Sequence, residues 1–201
     1  MQSSLFYRSR KDKIERLRVP YEAGVTLDSM ANVGNDHALG MELSGQFIVN
    51  KWWNLNVNGN VYYYKVVNNI NAGGKEETST NYDITVNNLL RICKNTRIQL
   101  DGNFVGPSVT TQGRSDSFWF VNLAIRQQWF GSNLQSTLSF RDIFNSARYK
   151  NDITTPNLES VTHIRPKFPV ITLSISYTFN HFKRSSQNSR DNRDLFEGVN
   201  H

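Results

Sequence analysis

The alternating stretch between Pro169 and Phe179 constrains the fold more than any other part of the chain. Apolar side chains occupy every second position, and hydroxyl-bearing side chains occupy the positions between them. The apolar set is Ile171, Leu173, Ile175, Tyr177 and Phe179. Because successive side chains of a strand point to opposite faces, this pattern predicts a ribbon with one apolar and one polar face. About ten such residues are enough for a tilted strand to cross a bilayer.

The composition of the 201-residue chain favours strands over helices. Aromatic residues make up 12% of the sequence, hydrophobic residues 38%, and the mean hydropathy is −0.53. The sequence has no run of about twenty apolar residues, so no transmembrane helix is predicted. A low hydropathy is nevertheless compatible with a membrane barrel, because half of each barrel strand is polar.

The same alternation recurs along most of the chain and predicts eight strands. They run from Ser3 to Ile14, from Val25 to Val49 with a kink near Gly34 and Asn35, from Trp52 to Val67, from Tyr82 to Cys93, around Ile98 to Phe104, around Trp119 to Ile125, from Asn133 to Phe144, and from Pro169 to Phe179. Strands with one apolar and one polar face are typical of a sheet that separates two environments.

The predicted connections alternate in length. Those near residues 50, 94 and 131 are short, whereas those near 18, 74, 110 and 155 are long. Up-and-down barrels of the outer membrane have short periplasmic turns and long extracellular loops. The sequence therefore predicts an all-β fold, namely an antiparallel up-and-down portion of a transmembrane β-barrel with about eight strands.

Polar side chains at a period of two predict the face that lines the lumen of such a barrel. The candidates are Glu42, Asn56, Asn58, Arg97, Gln99, Asp101 and Asn103. Asparagine is normally depleted in strands, so its repetition indicates a face that meets water or other polar groups. Two interpretations fit: contact with a plug or a solute, or a solvated inner wall held by internal hydrogen bonds.

Four aromatic residues are candidates for the membrane interface. Trp52 and Trp129 flank predicted short turns, and Tyr177 and Phe179 end the last predicted strand. Aromatic rings with a polar group concentrate at the boundary between lipid and water. The alternative is ordinary cross-strand packing of aromatic rings.

No pattern of catalytic, metal-binding or cofactor-binding residues emerges. Cys93 is the single cysteine, which excludes an intramolecular disulfide and a cysteine metal cluster. No ligand spacing connects the four histidines, which are His37, His163, His181 and His201. Asp142 has neither a nucleophile nor a placed histidine beside it. We therefore expect no enzymatic activity, no cofactor and no metal.

The net charge of +6 does not predict a nucleic-acid partner. Much of the positive charge lies near the two ends of the chain, and no long basic run is interleaved with aromatic residues. The expectation is a set of solvated charged ends.

Four sets of short motifs occur in order along residues 1–180. They are Asn32-Val33-Gly34 with Gly40-Met41-Glu42-Leu43, Phe104-Val105-Gly106-Pro107 with Gln112-Gly113, Asp142-Ile143-Phe144-Asn145, and the final alternating strand through Asn180. Together they resemble the barrel of TonB-dependent outer-membrane receptors. Barrels of that kind close with about 22 strands around a plug.

This resemblance implies an outer-membrane protein of a Gram-negative cell that contacts lipid and takes part in the uptake of an unidentified solute. Eight strands correspond to the C-terminal part of such a barrel, and no plug domain, signal peptide or energising segment is recognised. Residues 1–180 are thus expected to be a barrel segment, and residues 181–201 a polar, disordered tail.

The resemblance also implies partners. They are the N-terminal strands and plug of a full-length receptor and, only through that receptor, a TonB-type energising complex. Alone, the chain is not expected to transport. Two alternatives remain: a self-closed eight-stranded barrel with a structural or adhesive role, and a soluble β-sandwich that binds a ligand.

Overall fold

A computed structural model describes residues 1–68 and 75–179, in which the chain forms twelve strands and one short 3-10 helix. The strands are β1 (Gln2–Glu22), β2 (Val25–Asn50), β3 (Trp53–Asn68), β4 (Lys75–Arg91), β5 (Thr96–Val105), β6 (Ser108–Val109), β7 (Gly113–Ser115), β8 (Phe118–Trp129), β9 (Leu134–Arg141), β10 (Tyr149–Thr155), β11 (Leu158–Ile164) and β12 (Val170–Tyr177). The predictions for the loop centre at 71–74 and for the tail at 181–201 lie outside the described residues.

Eight of these strands form one antiparallel sheet in the order β1-β2-β3-β4-β5-β8-β9-β12. Each strand lies beside the next one of the series along the chain, which confirms the predicted all-β, up-and-down meander. Within the described residues, β1 and β12 each have a single neighbour, so the sheet is open. No helix in the described part of the chain is long and apolar enough to cross a membrane.

The hairpin of β1 and β2 corrects one prediction. The charged segment near residue 18 is not a loop, because β1 pairs with β2 along its whole length and turns only at residues 23 and 24. Gly24 supplies the positive φ of +77° that this tight turn uses. The sequence prediction was wrong because Arg18, which suggested a solvated loop, pairs with Asp28 of β2 across the two strands.

Two other strand ends differ from their predictions. β4 begins at Lys75 rather than Tyr82, because its first half pairs with β3 up to Asn68. β9 ends at Arg141 rather than Phe144, because Asp142 takes a positive φ of 49° and starts a turn. The predicted kink near Gly34 coincides with a register irregularity in β1 between Arg10 and Ile14.

A second sheet lies inside two segments that the sequence predicted as irregular loops. Strands β6 and β7 come from the connection near residue 110, β10 and β11 from the one near 155, and they pair in the order β11-β10-β7-β6. Gly113 allows the close approach of β7 and β10, since a Cβ there would lie 1.9 Å from the carbonyl oxygen of Asp152. Both long loops therefore end in one shared structure.

The buried core lies where this second sheet meets the first. Val109 of β6 packs against Ala38, Tyr64 and Val66 of β2 and β3. The rest of the large sheet carries its apolar residues mainly on an exposed face. Hydrophobic burial thus fixes the loop end of the molecule and leaves the middle of the sheet without a protein layer on its apolar side.

Candidate functional site

The register of the large sheet sorts its side chains into two faces. Residues that pair across strands share a face, and one face is apolar from β1 to β12. We call its middle rows the apolar belt: Leu5, Leu39, Met41, Leu43, Val61, Ile84, Leu100, Leu123, Leu138, Leu173 and Ile175. Much of it is exposed, with Leu173 at 62% and Ile84 at 51%. A continuous apolar surface of this extent requires an apolar surrounding.

Aromatic side chains border the apolar belt at both ends. On β3, Trp53 and Tyr63 share the belt face ten positions apart, and on β8 Trp119 and Trp129 do the same. Ten residues span roughly 33 Å along a strand, and a tilt of about 40° reduces this to about 25 Å. Such a height and such girdles are those of an outer-membrane barrel.

The structure brings the four predicted interface aromatics to the short-turn edge of the sheet. Trp52 lies in the turn before β3 and stacks on Trp53 with ring centroids 6.1 Å apart. Trp129 is in register with Leu134, whose partner on β12 is Tyr177. Phe179 packs edge-on against Tyr177 at 4.7 Å. Their contact with lipid headgroups stays a prediction.

The seven predicted lumen residues all lie on the face opposite the apolar belt, which we call the polar wall. Asn56 and Asp101 belong to one cross-strand row, and Asn58 and Asn103 to the next. Glu42 occupies the row above Asn58, whereas Gln99 and then Arg97 follow Asp101 towards the short turns. Their role in a lumen stays a prediction.

Hydrogen bonds connect parts of the polar wall. Asn103 donates to Thr85 Oγ1 at 2.9 Å, and Gln99 donates to Asp101 Oδ2 at 2.8 Å. Within the described residues, Asn60 Oδ1 and Asp101 Oδ1 are buried without a protein partner. Buried oxygens of this kind are normally satisfied by water or a ligand. The wall thus combines internal hydrogen bonds with two buried acceptors that have no protein partner in the described residues.

Charge is distributed unevenly along the polar wall. Glu42 and Asp83 line an open pocket of about 250 Å³ towards the loop end. Near the short turns, Arg91, Arg97 and Arg126 stand side by side in register on three strands. Three neighbouring positive charges give the short-turn end of the wall a positive potential. The polar wall is therefore acidic towards the loop end and basic towards the short turns.

An ionic cluster lies on the polar face beyond the apolar belt. The carboxylate of Asp36, only 1% exposed, pairs with Arg10 and Lys13 and accepts a hydrogen bond from Tyr64 at 3.1 Å. Lys13 also pairs with Glu15 and donates to Tyr64 Oη at 2.8 Å. We call these five residues the Asp36 cluster. The neighbouring positions on the outer face are polar, so the cluster lies outside the membrane-spanning segment.

Ionisation of the Asp36 cluster follows from its contacts. Burial opposes the charge of the Asp36 carboxyl, but hydrogen bonds from Arg10, Lys13 and Tyr64 outweigh it and hold the pKa at about 2. Burial likewise opposes the charge of Lys13, and its bonds to Glu15 and Tyr64 leave its pKa above the usual value. The carboxylate and the ammonium therefore stay charged together at neutral pH.

The motif Asp142-Ile143-Phe144-Asn145 forms a tight turn after β9. The Asp142 carboxylate accepts from the backbone N–H groups of Ser146 at 3.0 Å and Ala147 at 2.9 Å. The hydroxyl of Ser146 also donates to this carboxylate, at 2.9 Å. Phe144 packs against Trp119 at 5.9 Å and so extends the upper aromatic girdle. The motif is thus structural.

Comparison with known proteins assigns the sheet to a family. The model of the outer membrane protein beta-barrel family matches residues 1–177. The chain belongs to this family. It is an outer-membrane barrel protein, and the apolar belt is the surface that such a barrel presents to lipid. No curated protein and no solved structure matches the chain.

Sequence reasoning missed the Asp36 cluster and the second sheet. Members of the cluster lie far apart in sequence, and only the pairing of three strands brings them together. The hairpin of β10 and β11 did leave a signal, because Pro156-Asn157 separates two runs rich in Thr, Ile and Val. Such runs around a turn dipeptide are typical of a hairpin.

Proposed function

We propose that this chain forms the C-terminal wall of a TonB-dependent outer-membrane receptor that takes up an unidentified solute. The observation that carries the proposal is the open eight-stranded sheet, with its apolar belt on one face and its polar wall on the other. In this proposal the N-terminal strands and the plug of the full-length receptor complete the barrel. A TonB-type complex energises uptake only through that receptor.

Geometry supports an incomplete wall rather than a small closed barrel. In hydrocarbon every backbone N–H and C=O group must be paired, so the two free edges of β1 and β12 need partner strands. The interior of an eight-stranded barrel is just wide enough to be filled by side chains. Here the second sheet, with Val109, also occupies the inner face. A wider barrel accommodates both.

The side chains of the polar wall support a hydrophilic solute. Asparagine, aspartate, glutamate and arginine side chains line the inner face, and two buried oxygens, of Asn60 and Asp101, have no protein partner in the described residues. The exposed side chains of the wall, such as Glu42, Asn58 and Gln99, are suited to replace the hydration of a polar molecule as it moves along the wall.

Disulfide crosslinking of the two edge strands tests whether the wall is part of a larger barrel. Cysteine pairs are placed on the belt face at Ser3, Leu5 or Tyr7 of β1 and at Leu173, Ile175 or Tyr177 of β12, in a Cys93→Ser background. The matched control is Leu138→Cys with Leu173→Cys, which are register partners. We expect the control to crosslink in detergent-folded protein and the edge pairs to remain reduced. Efficient crosslinking of an edge pair would indicate a self-closed barrel with a structural or adhesive role.

A genetic comparison tests the uptake role itself. Cells that lack this gene and cells that lack the energising complex are assayed with a panel of scarce solutes. We expect both to lose uptake of the same solute, and the double mutant to be no worse than either. Unchanged uptake of every solute after deletion of the gene would remove the receptor proposal and leave only the barrel assignment.

A further inference from the structure

The turn at residues 110–113, which we call the strap, lies between β6 and β7 and reaches the edge strand β1. Its turn is closed by a hydrogen bond from Thr110 N to Gly113 O at 2.9 Å and by one from Gly113 N to Thr110 Oγ1 at 3.1 Å. These two bonds hold the strap as a compact unit rather than a free loop. The two residues between them, Thr111 and Gln112, make the contacts with β1.

Gln112 binds β1 through both ends of its side-chain amide. Its Oε1 accepts from the backbone N–H of Arg18 at 2.8 Å, and its Nε2 donates to the carbonyl oxygen of Arg18 at 2.9 Å. Because both backbone groups of Arg18 bind Gln112, they point away from β2 and towards the free edge of β1. The amide thus takes the place that a neighbouring strand takes elsewhere in the sheet.

Two further contacts make the strap a connection between three parts of the molecule. The Thr111 hydroxyl donates to Glu15 of the Asp36 cluster at 2.5 Å, and Thr111 is only 8% exposed. The carbonyl oxygen of Gln112 accepts from Thr154 N of β10 at 2.8 Å. The strap therefore joins both halves of the second sheet to the first hairpin.

The strand that leads into the strap covers the polar face. Val109 of β6 packs against Ala38 and Tyr64, and its N–H donates to Ser79 Oγ at 3.4 Å. Ala38, Tyr64 and Ser79 form one cross-strand row on the same face as Glu42, nearer the loop end. β6 and the strap therefore cover the polar wall at its loop end, which we call the loop-side entrance.

We propose that Gln112 is the latch of a lid, formed by the second sheet, that closes over the loop-side entrance of the polar wall. Release of the two hydrogen bonds of Gln112 leaves the strap joined to β1 by the Thr111–Glu15 hydrogen bond, while the main strands keep their pairing. The lid then lifts and exposes the row at Ala38. The role as an entrance rests on the proposed function, whereas the latch itself is a property of this fold.

Cysteine labelling in outer-membrane vesicles tests the latch. The reporter is Ala38→Cys in a Cys93→Ser background, because Ala38 is 2% exposed beneath β6. The reagent is a hydrophilic maleimide, and the variant is Gln112→Ala. We expect labelling to accelerate by about tenfold or more, since two hydrogen bonds are lost and each tenfold change corresponds to about 1.4 kcal/mol. Gln112→Glu keeps the acceptor for Arg18 N–H but puts a carboxylate oxygen in place of the donor to the Arg18 carbonyl oxygen, so it is expected to accelerate labelling as well.

Two controls keep the result specific. Gln135→Ala removes a glutamine at the opposite end of the sheet and is expected to leave the rate at Ala38→Cys unchanged. Leu173→Cys on the apolar belt reports on folding, because lipid shields it only while the sheet is folded. It is expected to stay unreactive in every correctly folded variant. Rapid labelling there identifies a misfolded variant, for which Gln112→Glu is then used instead.

Two outcomes would overturn the proposal. Equal labelling of Ala38→Cys with and without Gln112 would show that this side chain does not hold the lid. Labelling of Ala38→Cys as fast as at an exposed cysteine, in the protein that retains Gln112, would show that the lid is already open. Neither outcome depends on uptake or on crosslinking of the edge strands, so failure of the latch is distinguishable from failure of the receptor proposal.

Discussion

At the scale of single residues, the Asp36 cluster shows how a buried charge is tolerated. Asp36 has three partners, and its surroundings exclude water from the carboxylate. Burial of an unpaired charge is costly, but hydrogen bonds and opposite charges offset it here. The cluster ties β1, β2 and β3 together at the loop end of the sheet.

Replacement of Asp36 by Asn is expected to lower the free energy of unfolding by about 3 kcal/mol, because Arg10 and Lys13 then lose the buried carboxylate that they share. Urea unfolding in detergent micelles measures the change. The matched control is Asp28→Asn, which removes an exposed partner of Arg18 and is expected to cost clearly less. Equal costs for the two variants would mean that the Asp36 cluster adds nothing beyond a surface ion pair.

The lowered pKa of Asp36 also predicts a pH dependence. The folded pKa of about 2 lies below the ordinary value of 3.8, so this carboxylate stabilises the fold fully above pH 3.8. That contribution is lost as the pH falls through about 2. The difference in unfolding free energy between the wild type and Asp36→Asn is therefore expected to shrink between pH 4 and pH 2. A difference that stays constant over this range would contradict the assignment.

At the scale of elements, β12 illustrates how one strand serves two environments. Leu173 and Ser174 are neighbours in sequence but lie on opposite faces, one in the apolar belt and one on the polar wall. The alternation gives one strand an apolar side for lipid and a polar side for the interior.

Arginine substitutions at these two positions are expected to differ sharply. Leu173→Arg places a charge in lipid and is expected to make folding into bilayers less favourable by about 2–4 kcal/mol. Ser174→Arg, one position along, is expected to have little effect. Equilibrium folding into phospholipid vesicles, followed by tryptophan fluorescence, compares them. A larger cost for Ser174→Arg would reverse the assignment of the two faces.

The second sheet depends on one glycine. Gly113→Ala would place a Cβ 1.9 Å from the carbonyl oxygen of Asp152, so we expect β7 to separate from β10. Limited proteolysis of intact cells is expected to cut within residues 142–169 faster in this variant. Gly102→Ala is the control, because a Cβ at Gly102 meets nothing within 4 Å. Unchanged protection in Gly113→Ala would show that the β7–β10 contact is dispensable.

At the scale of the whole molecule, the loop end and the middle of the large sheet differ in how they bury apolar surface. The loop end has a buried core and a second sheet, whereas the middle of the large sheet exposes its apolar belt. Without lipid or further strands, that surface and the two free edges favour association with other chains.

The isolated chain is therefore expected to become β-rich and monodisperse only in detergent micelles or lipid, and to aggregate in aqueous buffer. Circular dichroism and sedimentation velocity, with and without micelles, measure this. A monomeric, β-rich chain in plain buffer would favour the soluble β-sandwich instead.

The sequence by itself determined the existence of the eight strands of the large sheet, their two faces and the membrane class. Alternation in segments such as Pro169–Phe179 depends only on local geometry, and the family match over residues 1–177 confirms the resulting barrel assignment. Side chains such as Asn56 and Asn103 were assigned to one face because strand periodicity alone decides that.

Only the tertiary structure decided what the charged and irregular segments do. The extended β1, the Asp36 cluster and the second sheet depend on pairing between residues far apart in sequence. Gln112 reads as a loop residue in the sequence, yet its amide completes the edge of a strand 94 positions away. Hydrogen bonds between distant segments leave no periodic signal, so the contacts of Gln112 with β1 are visible only once the chain is folded.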